Sequence, residues 1–363
     1  MSAPNKSAGR LQFIDWTRGL AALVMLQGHT FNSFARTDLR DKSAYVLSQF
    51  AGGLPPAIFL FLTGITFAFL MHSQERKTES SWGRIVAALK RSRYLFLVAF
   101  LFRIQLFVFG YPSSPASEIL KVDILNCMGL AMLILAPMAV FSTLERARLC
   151  TVLGLVIAGM APVISALDGD GIPSILRAYF VPSLNYFAFF PWAAFLAFGM
   201  AAGSVLRLVK QEDMQKVMLW ALGLGVAMAM AAQYMESLPY SLYPKSDFWL
   251  NGPALTIIKL GVVMCLMAGA YVWVNLAGDP SRWSFVRQIG TTSLLVYWVH
   301  IELVYGRWFG FWKENLSTPQ VVVFTVCLIG LMLLLSVMQT RFKDIGSFFK
   351  PAPSVAPQRA SGD

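Results

Sequence analysis

Charge is scarce in this chain. Lys, Arg, Asp and Glu make up 13% of its 363 residues and hydrophobic residues 56%, whereas a soluble domain carries roughly 25% charged and about 45–50% apolar residues. That excludes an ordinary soluble or disordered protein and points to a polytopic membrane protein. Cysteine is scarce as well: Cys127, Cys150, Cys265 and Cys327 stand far apart in or beside apolar stretches, with no CxxC pair. A disulfide or zinc framework is excluded, and the four read as small apolar fillers. The chain lacks GxxxxGK[ST], HExxH and GxSxG motifs, so phosphate-loop, zinc-protease and serine-hydrolase chemistries find no support and no metal site is expected. No internal repeat is evident, which weighs against an inverted-repeat transporter. The net charge of +11 does not indicate nucleic acid, because in a membrane protein the basic excess belongs to loops on one side.

What is present is a series of apolar segments. Stretches of about 17–25 residues can span a bilayer. They fall near 11–34, 54–72, 92–110, 121–141, 148–166, 184–206, 216–236, 253–275, 285–308 and 317–338, predicting an all-α protein of about ten transmembrane helices. Charges within the first segment argue against a cleaved signal peptide. Of the 30 Lys and Arg residues, 20 fall in one alternate set of connections and the span ends beside them, Arg18 included, and only 8 in the other, so the positive-inside rule places both termini in the cytoplasm. Residues 1–345 read as one transmembrane domain in a cell (inner) membrane, and the Pro/Ala/Ser-rich stretch 346–363 as a disordered cytoplasmic tail. Ser80 to Arg93 reads as an amphipathic surface helix, either a lipid-headgroup anchor or a site for an anionic cofactor. Pro191 predicts a kink in the sixth span.

The first span carries Asp15, Arg18 and His29. Ionisable groups in a spanning helix are expensive, and their default reading is a functional lining. Arg18 and His29 are about three turns and about 16 Å apart on one helical face, with Asp15 within about 60° of Arg18. Depth along each span puts His29, Arg103, Gln105, Asp123, Asn126, Lys259, His300 and Glu302 at one level. That set suits either a charge-paired structural knot or a general acid/base site. Of the three histidines, His29 and His300 sit at this level, and imidazole is the commonest general base. His72 reads as a solvated helix end.

The stretches Ile14-Asp15-Trp16-Thr17-Arg18-Gly19-Leu20-Ala21, Leu54-Pro55-Pro56 through Thr63-Gly64, Val122-Asp123-Ile124-Leu125-Asn126-Cys127-Met128-Gly129-Leu130, Phe190-Pro191-Trp192 through Gly199 to Gly203, and Ile289-Gly290-Thr291 through His300 follow one another in order. Together they resemble the heparan-α-glucosaminide N-acetyltransferase catalytic-domain family of bacterial membrane proteins. The Arg18 to His29 spacing is similar to the arginine to histidine motif of the acyltransferase-three membrane family. The resemblance implies transfer of an acyl group from cytoplasmic acyl-CoA to a sugar or similar acceptor on the far side. On it, His29 is the catalytic histidine and Arg18 belongs to the acyl-CoA path; Asp15, on the same stripe of the helix, is expected beside Arg18 as a cofactor-binding residue. The eukaryotic glucosaminide enzyme has asparagine at the place of His29 and its histidine farther along. Here Ala35 to Ala44 holds no histidine, so the acceptor and N- versus O-acylation stay open.

The expected function is therefore a membrane-embedded acyltransferase in the lipid bilayer. It takes acetyl-CoA or another acyl-CoA as donor and an extracytoplasmic glycan or lipid-linked acceptor. His29 acts as general base, oriented by Asp123, Glu302 or His300; Asn126 or Lys259 stabilises the oxyanion; and Arg93 or Arg287 assists with the phosphates. Direct transfer and an acyl-histidine intermediate are both open. The alternative is a proton-coupled transporter or flippase for an anionic lipid or sugar precursor, with the same charges as a relay.

Overall fold

The structure, a computed structural model, describes residues 11–77, 80–112, 114–167, 171, 173–243, 245–276 and 283–348. In chain order its helices are α1 (Gln12–Phe34), α2 (Ser43–Gly52), α3 (Pro55–Glu75), α4 (Ser81–Gly110), α5 (Ile124–Leu135), α6 (Thr143–Ala166) and α7 (Ser174–Phe180). They continue with α8 (Phe189–Leu208), α9 (Met214–Glu236), α10 (Pro253–Leu276), α11 (Phe285–Thr291), α12 (Ser293–Tyr305) and α13 (Thr318–Phe348). The only β pairing among the described residues is an isolated bridge between Ala35 and Leu316. Eight helical stretches are long and apolar enough to cross a membrane, and the protein is an all-α, polytopic membrane protein.

The expected count of about ten spans differs from these eight at two places. The helix α1 is outside the eight and carries Asp15, Arg18 and His29, yet it lies at the centre, packed against α2, α3, α10, α11, α12 and α13. Protein rather than lipid surrounds it, which is where polar groups at membrane depth are tolerated. The expected span 285–308 is two helices, broken at Thr292 (φ −117°, ψ 22°). The break is braced by α13: Thr292 Oγ1 lies 2.5 Å from Ser336 Oγ, and Gln288 Nε2 donates to the Ser336 carbonyl oxygen at 3.1 Å. The Gln288 carbonyl oxygen, freed because Thr292 N–H turns to Ile289 O, accepts from Ser336 Oγ at 3.1 Å, the partner that a backbone group freed at a break in a bilayer needs.

Other expectations also shift. The surface helix Ser80 to Arg93 and the span after it form one continuous 30-residue helix, α4, whose N-cap Ser80 accepts from Gly83 N–H. At about 45 Å it exceeds a hydrocarbon core of about 30 Å, so part of it lies at headgroup depth. The kink at Pro191 falls at the start of α8, where Phe190 is non-helical (φ −90°, ψ 129°). The last helix runs to Phe348, past the expected start of the tail, and the disorder expected for 349–363 lies outside the described residues.

Close helix contacts set the frame. A Cβ on Gly64 of α3 would collide with the Leu196 carbonyl oxygen of α8, and one on Gly199 with that of Phe61. Small residues let membrane helices approach this closely, and packing rather than hydrophobic exclusion holds them together. The α1–α11 crossing is built the same way from Gly19 against Val286 and Gly290 against Asp15. On the face where α1 begins, buried Arg146 donates to the Phe141 carbonyl at 2.7 Å and reaches Glu75 Oε2 at 3.3 Å, tying α6 to α3. His72, expected to be solvated, is drawn into the same junction, with Nδ1 2.9 Å from Thr143 Oγ1.

Candidate active site

Between α1, α3, α4, α5 and α12 lies a cavity of about 920 Å³, a size suited to a cofactor-sized ligand. Each wall is a helical stripe. From α1 come Arg18, Met25 and His29; from α3, Pro56, Phe59, Thr63 and Thr66; from α4, Arg91, Tyr94, Phe102 and Arg103. On α12 the lining residues Ser293, Tyr297, Ile301 and Tyr305 recur every four positions, one face of a helix. Arg91 to Gly110 along α4 covers about 28 Å, so the cavity extends through most of a bilayer core. Arg18 and Arg91 line one end; Glu118, Lys121, Arg307 and Lys313 line the other.

Arg18 and His29 thus face one space, as the helical period required. Arg18 Nη1 pairs with Asp15 Oδ1 at 3.2 Å, and Asp15 is buried behind it. His29 Nδ1 lies 2.9 Å from Nε2 of fully buried His300, the two rings stacked at 5.2 Å between centroids. His300 Nδ1 in turn lies 2.7 Å from the Val296 carbonyl oxygen. A carbonyl only accepts, so in the neutral pair His300 Nδ1 carries its hydrogen and Nε2 is bare. That bare nitrogen accepts from His29 Nδ1–H. His29 Nε2 is left unprotonated, with a free lone pair, on a residue that lines the cavity. The Tyr305 ring packs edge-on against His29 at 5.3 Å.

The carboxylates are placed differently. Asp123 caps α5, its Oδ1 accepting from Leu125 N–H and Asn126 N–H, each at 3.0 Å. Its Oδ2 lies 3.2 Å from Arg103 Nε at an angle that makes no hydrogen bond. Glu302 Oε1 accepts from Trp308 Nε1–H at 3.0 Å, while its buried Oε2 has no hydrogen-bond partner. Asp123, Arg103 and Glu302 all line the cavity.

Asn126 and Lys259 are not among the lining residues. The Asn126 amide bonds Lys121 O, Asp123 Oδ1 and the Tyr179 hydroxyl. Lys259 on α10 sits over the Trp192 ring, 5.1 Å from its centroid. Gln105 accepts from Trp298 Nε1–H. Arg287 Nη1 donates to Gln12 Oε1 at 2.7 Å. Arg91 belongs to the Ser80–Arg93 stretch read as a lipid-headgroup anchor or a site for an anionic cofactor, whereas Tyr94, Tyr297 and Tyr305 were passed over; for the last two the four-residue period from Ser293 to Tyr305 was the available signal.

A family model described as Heparan-alpha-glucosaminide N-acetyltransferase, catalytic, matches residues 10–243. The match contains Asp15, Arg18, His29, Arg103, Asp123 and Asn126 and ends before Lys259, His300 and Glu302. No curated protein matches the chain.

Proposed function

Because the chain belongs to the heparan-alpha-glucosaminide N-acetyltransferase catalytic family, we propose that it transfers an acetyl or related acyl group from cytoplasmic acyl-CoA to a sugar or other envelope acceptor beyond the membrane. The observation that carries this reading is the hydrogen-bond order Val296, His300, His29, which leaves an unprotonated imidazole nitrogen on a residue lining a cavity that also holds Arg18.

In this reading Arg18, oriented by Asp15, and Arg91 hold phosphate oxygens of the donor at the basic end. The apolar middle around Met25, Phe59 and Phe102 takes the pantetheine arm. His29 Nε2 removes the proton from the acceptor hydroxyl or amine as its oxygen or nitrogen attacks the thioester carbonyl. The imidazolium is stabilised through Nδ1–H to His300 Nε2. The tetrahedral intermediate collapses with cleavage of the C–S bond, and His29 returns its proton to the departing thiolate. Glu302 and Asp123, at the level of His29, are the carboxylates available to the acceptor. Both termini then lie in the cytoplasm of a cell inner-membrane protein.

A cavity running most of the way through the bilayer also suits a proton-coupled transporter or flippase. The two readings separate with purified protein in liposomes loaded with candidate acceptor and given acetyl-CoA outside. Thiol release coupled to acetylated product supports transfer; solute movement without thiol release supports transport. Comparing envelope glycans of a deletion strain and its parent by mass spectrometry then names the acceptor.

A further inference from the structure

A second, smaller concavity lies apart from the cavity that holds His29. It encloses about 330 Å³ between the ends of α3 and α8 and is lined by Phe69, His72, Ser73, Arg76, Lys77 and Arg207. Arg76, Lys77 and Arg207 are exposed. Among the described residues no carboxylate lies within ion-pair distance of any of the three. The adjacent acid, Glu75, is engaged elsewhere: its Oε2 accepts from Thr143 Oγ1 at 2.8 Å and from Arg146 Nη2 at 3.3 Å. Nearby basic residues on the same face behave differently. Lys210 and Lys216 pair with Glu212 and Asp213 at 3.7 and 3.0 Å.

Arg207 is also held in place, its guanidinium carbon 4.0 Å from the centroid of the Phe69 ring. Stacking on an aromatic face restrains a long side chain and leaves the N–H edge of the fork for a ligand. The Ser73 hydroxyl is a further donor. Three uncompensated cations, one of them pre-oriented, around a hollow at a helix-end level call for an anion with several oxygens. We propose that this pocket binds a phosphate group, gripped by Arg207, Arg76 and Lys77. A guanidinium fork matches two phosphate oxygens at once, and lysine adds a point charge. At the membrane face the phosphate has two sources, an anionic phospholipid headgroup or a soluble phosphate, and the site chemistry is shared by both.

The test uses the full-length protein and no acyl-CoA, so it stands or falls independently of the transfer reaction. One arm counts phosphatidylglycerol adducts by native mass spectrometry after delipidation and titration, with phosphatidylcholine as the neutral comparison. The other titrates inorganic pyrophosphate and reads the thermal shift. Arg207→Gln and the pair Arg76→Gln/Lys77→Gln should weaken the anion's affinity about fivefold for each cation removed, while Lys210→Gln, which removes a charge outside the pocket, should leave it unchanged. Saturable phosphatidylglycerol binding without a pyrophosphate response assigns a lipid headgroup, and the reverse assigns a soluble phosphate. If the parent binds neither probe, or if the pocket variants and Lys210→Gln behave alike in both arms, the proposal is overturned. A fall in melting temperature with unchanged binding also overturns it, leaving the cations as partners of the α3 and α8 C-terminal dipoles.

Discussion

His29 Nδ1 and His300 Nε2 stand 2.9 Å apart, joining α1 to α12. His300 is anchored by the Val296 carbonyl and is not among the cavity-lining residues, so in the proposed mechanism it acts only through His29. His300→Ala should therefore lower kcat about 10- to 100-fold, the loss expected for a hydrogen bond to a group that becomes charged. KM for acyl-CoA should change little. A KM increase with unchanged kcat would assign His300 to substrate binding instead.

Arg18 and His29 share a cavity but sit about 16 Å apart along α1. Arg18→Ala should weaken equilibrium binding of acyl-CoA at least tenfold, the size of a lost charge-assisted contact, and Arg18→Lys should recover part of it. Equal binding by parent and Arg18→Ala, measured by calorimetry on folded protein, would remove Arg18 from the donor site.

The α1–α11 crossing leaves no room for a side chain at Gly290, where a Cβ would collide with the Asp15 carbonyl oxygen. Gly290→Val should destabilise the protein by about 1–3 kcal/mol, seen as a lower melting temperature. The same substitution at Gly269, which has nothing within 4 Å of its Cβ position, should have a smaller effect. Equal melting temperatures for the two variants would contradict the close crossing.

Much of this was legible in the sequence because it follows from period and composition. The stripe from Arg18 to His29 survives into the cavity because an uninterrupted helix preserves angular position. The helix count was less legible: hydropathy does not register the break at Thr292, which depends on Gln288, Thr292 and Ser336 meeting across two helices. Depth along a span correctly grouped His29 with His300 but says nothing of azimuth. Lys259 therefore shared a level with the site while facing Trp192. The cap made by Asp123 on Leu125 and Asn126 had a local signal, an acid immediately before an apolar helix.

The loop between α1 and α2 and the loop leading to α13 are joined by the Arg40–Glu314 pair at 2.7 Å, on the face opposite the α1 start. If both termini are cytoplasmic, as the proposed orientation requires, Lys42→Cys should react with a membrane-impermeant maleimide in intact cells and Lys210→Cys should not. Labelling of Lys210→Cys alone would invert the membrane orientation and place the acceptor on the other side.

The most direct measurement is thiol release from acetyl-CoA in the presence of envelope acceptor, followed across pH with binding measured in parallel for parent and His29→Ala. A base must be neutral to accept a proton, so the parent rate should fall as pH drops and His29 becomes protonated. His29→Ala should bind acetyl-CoA as the parent does and lose turnover by at least 100-fold, at the lower end of what general-base catalysis contributes. Full turnover by His29→Ala, with the same fall in rate at low pH as the parent, would contradict the assignment of His29 as the base and with it the proposed mechanism.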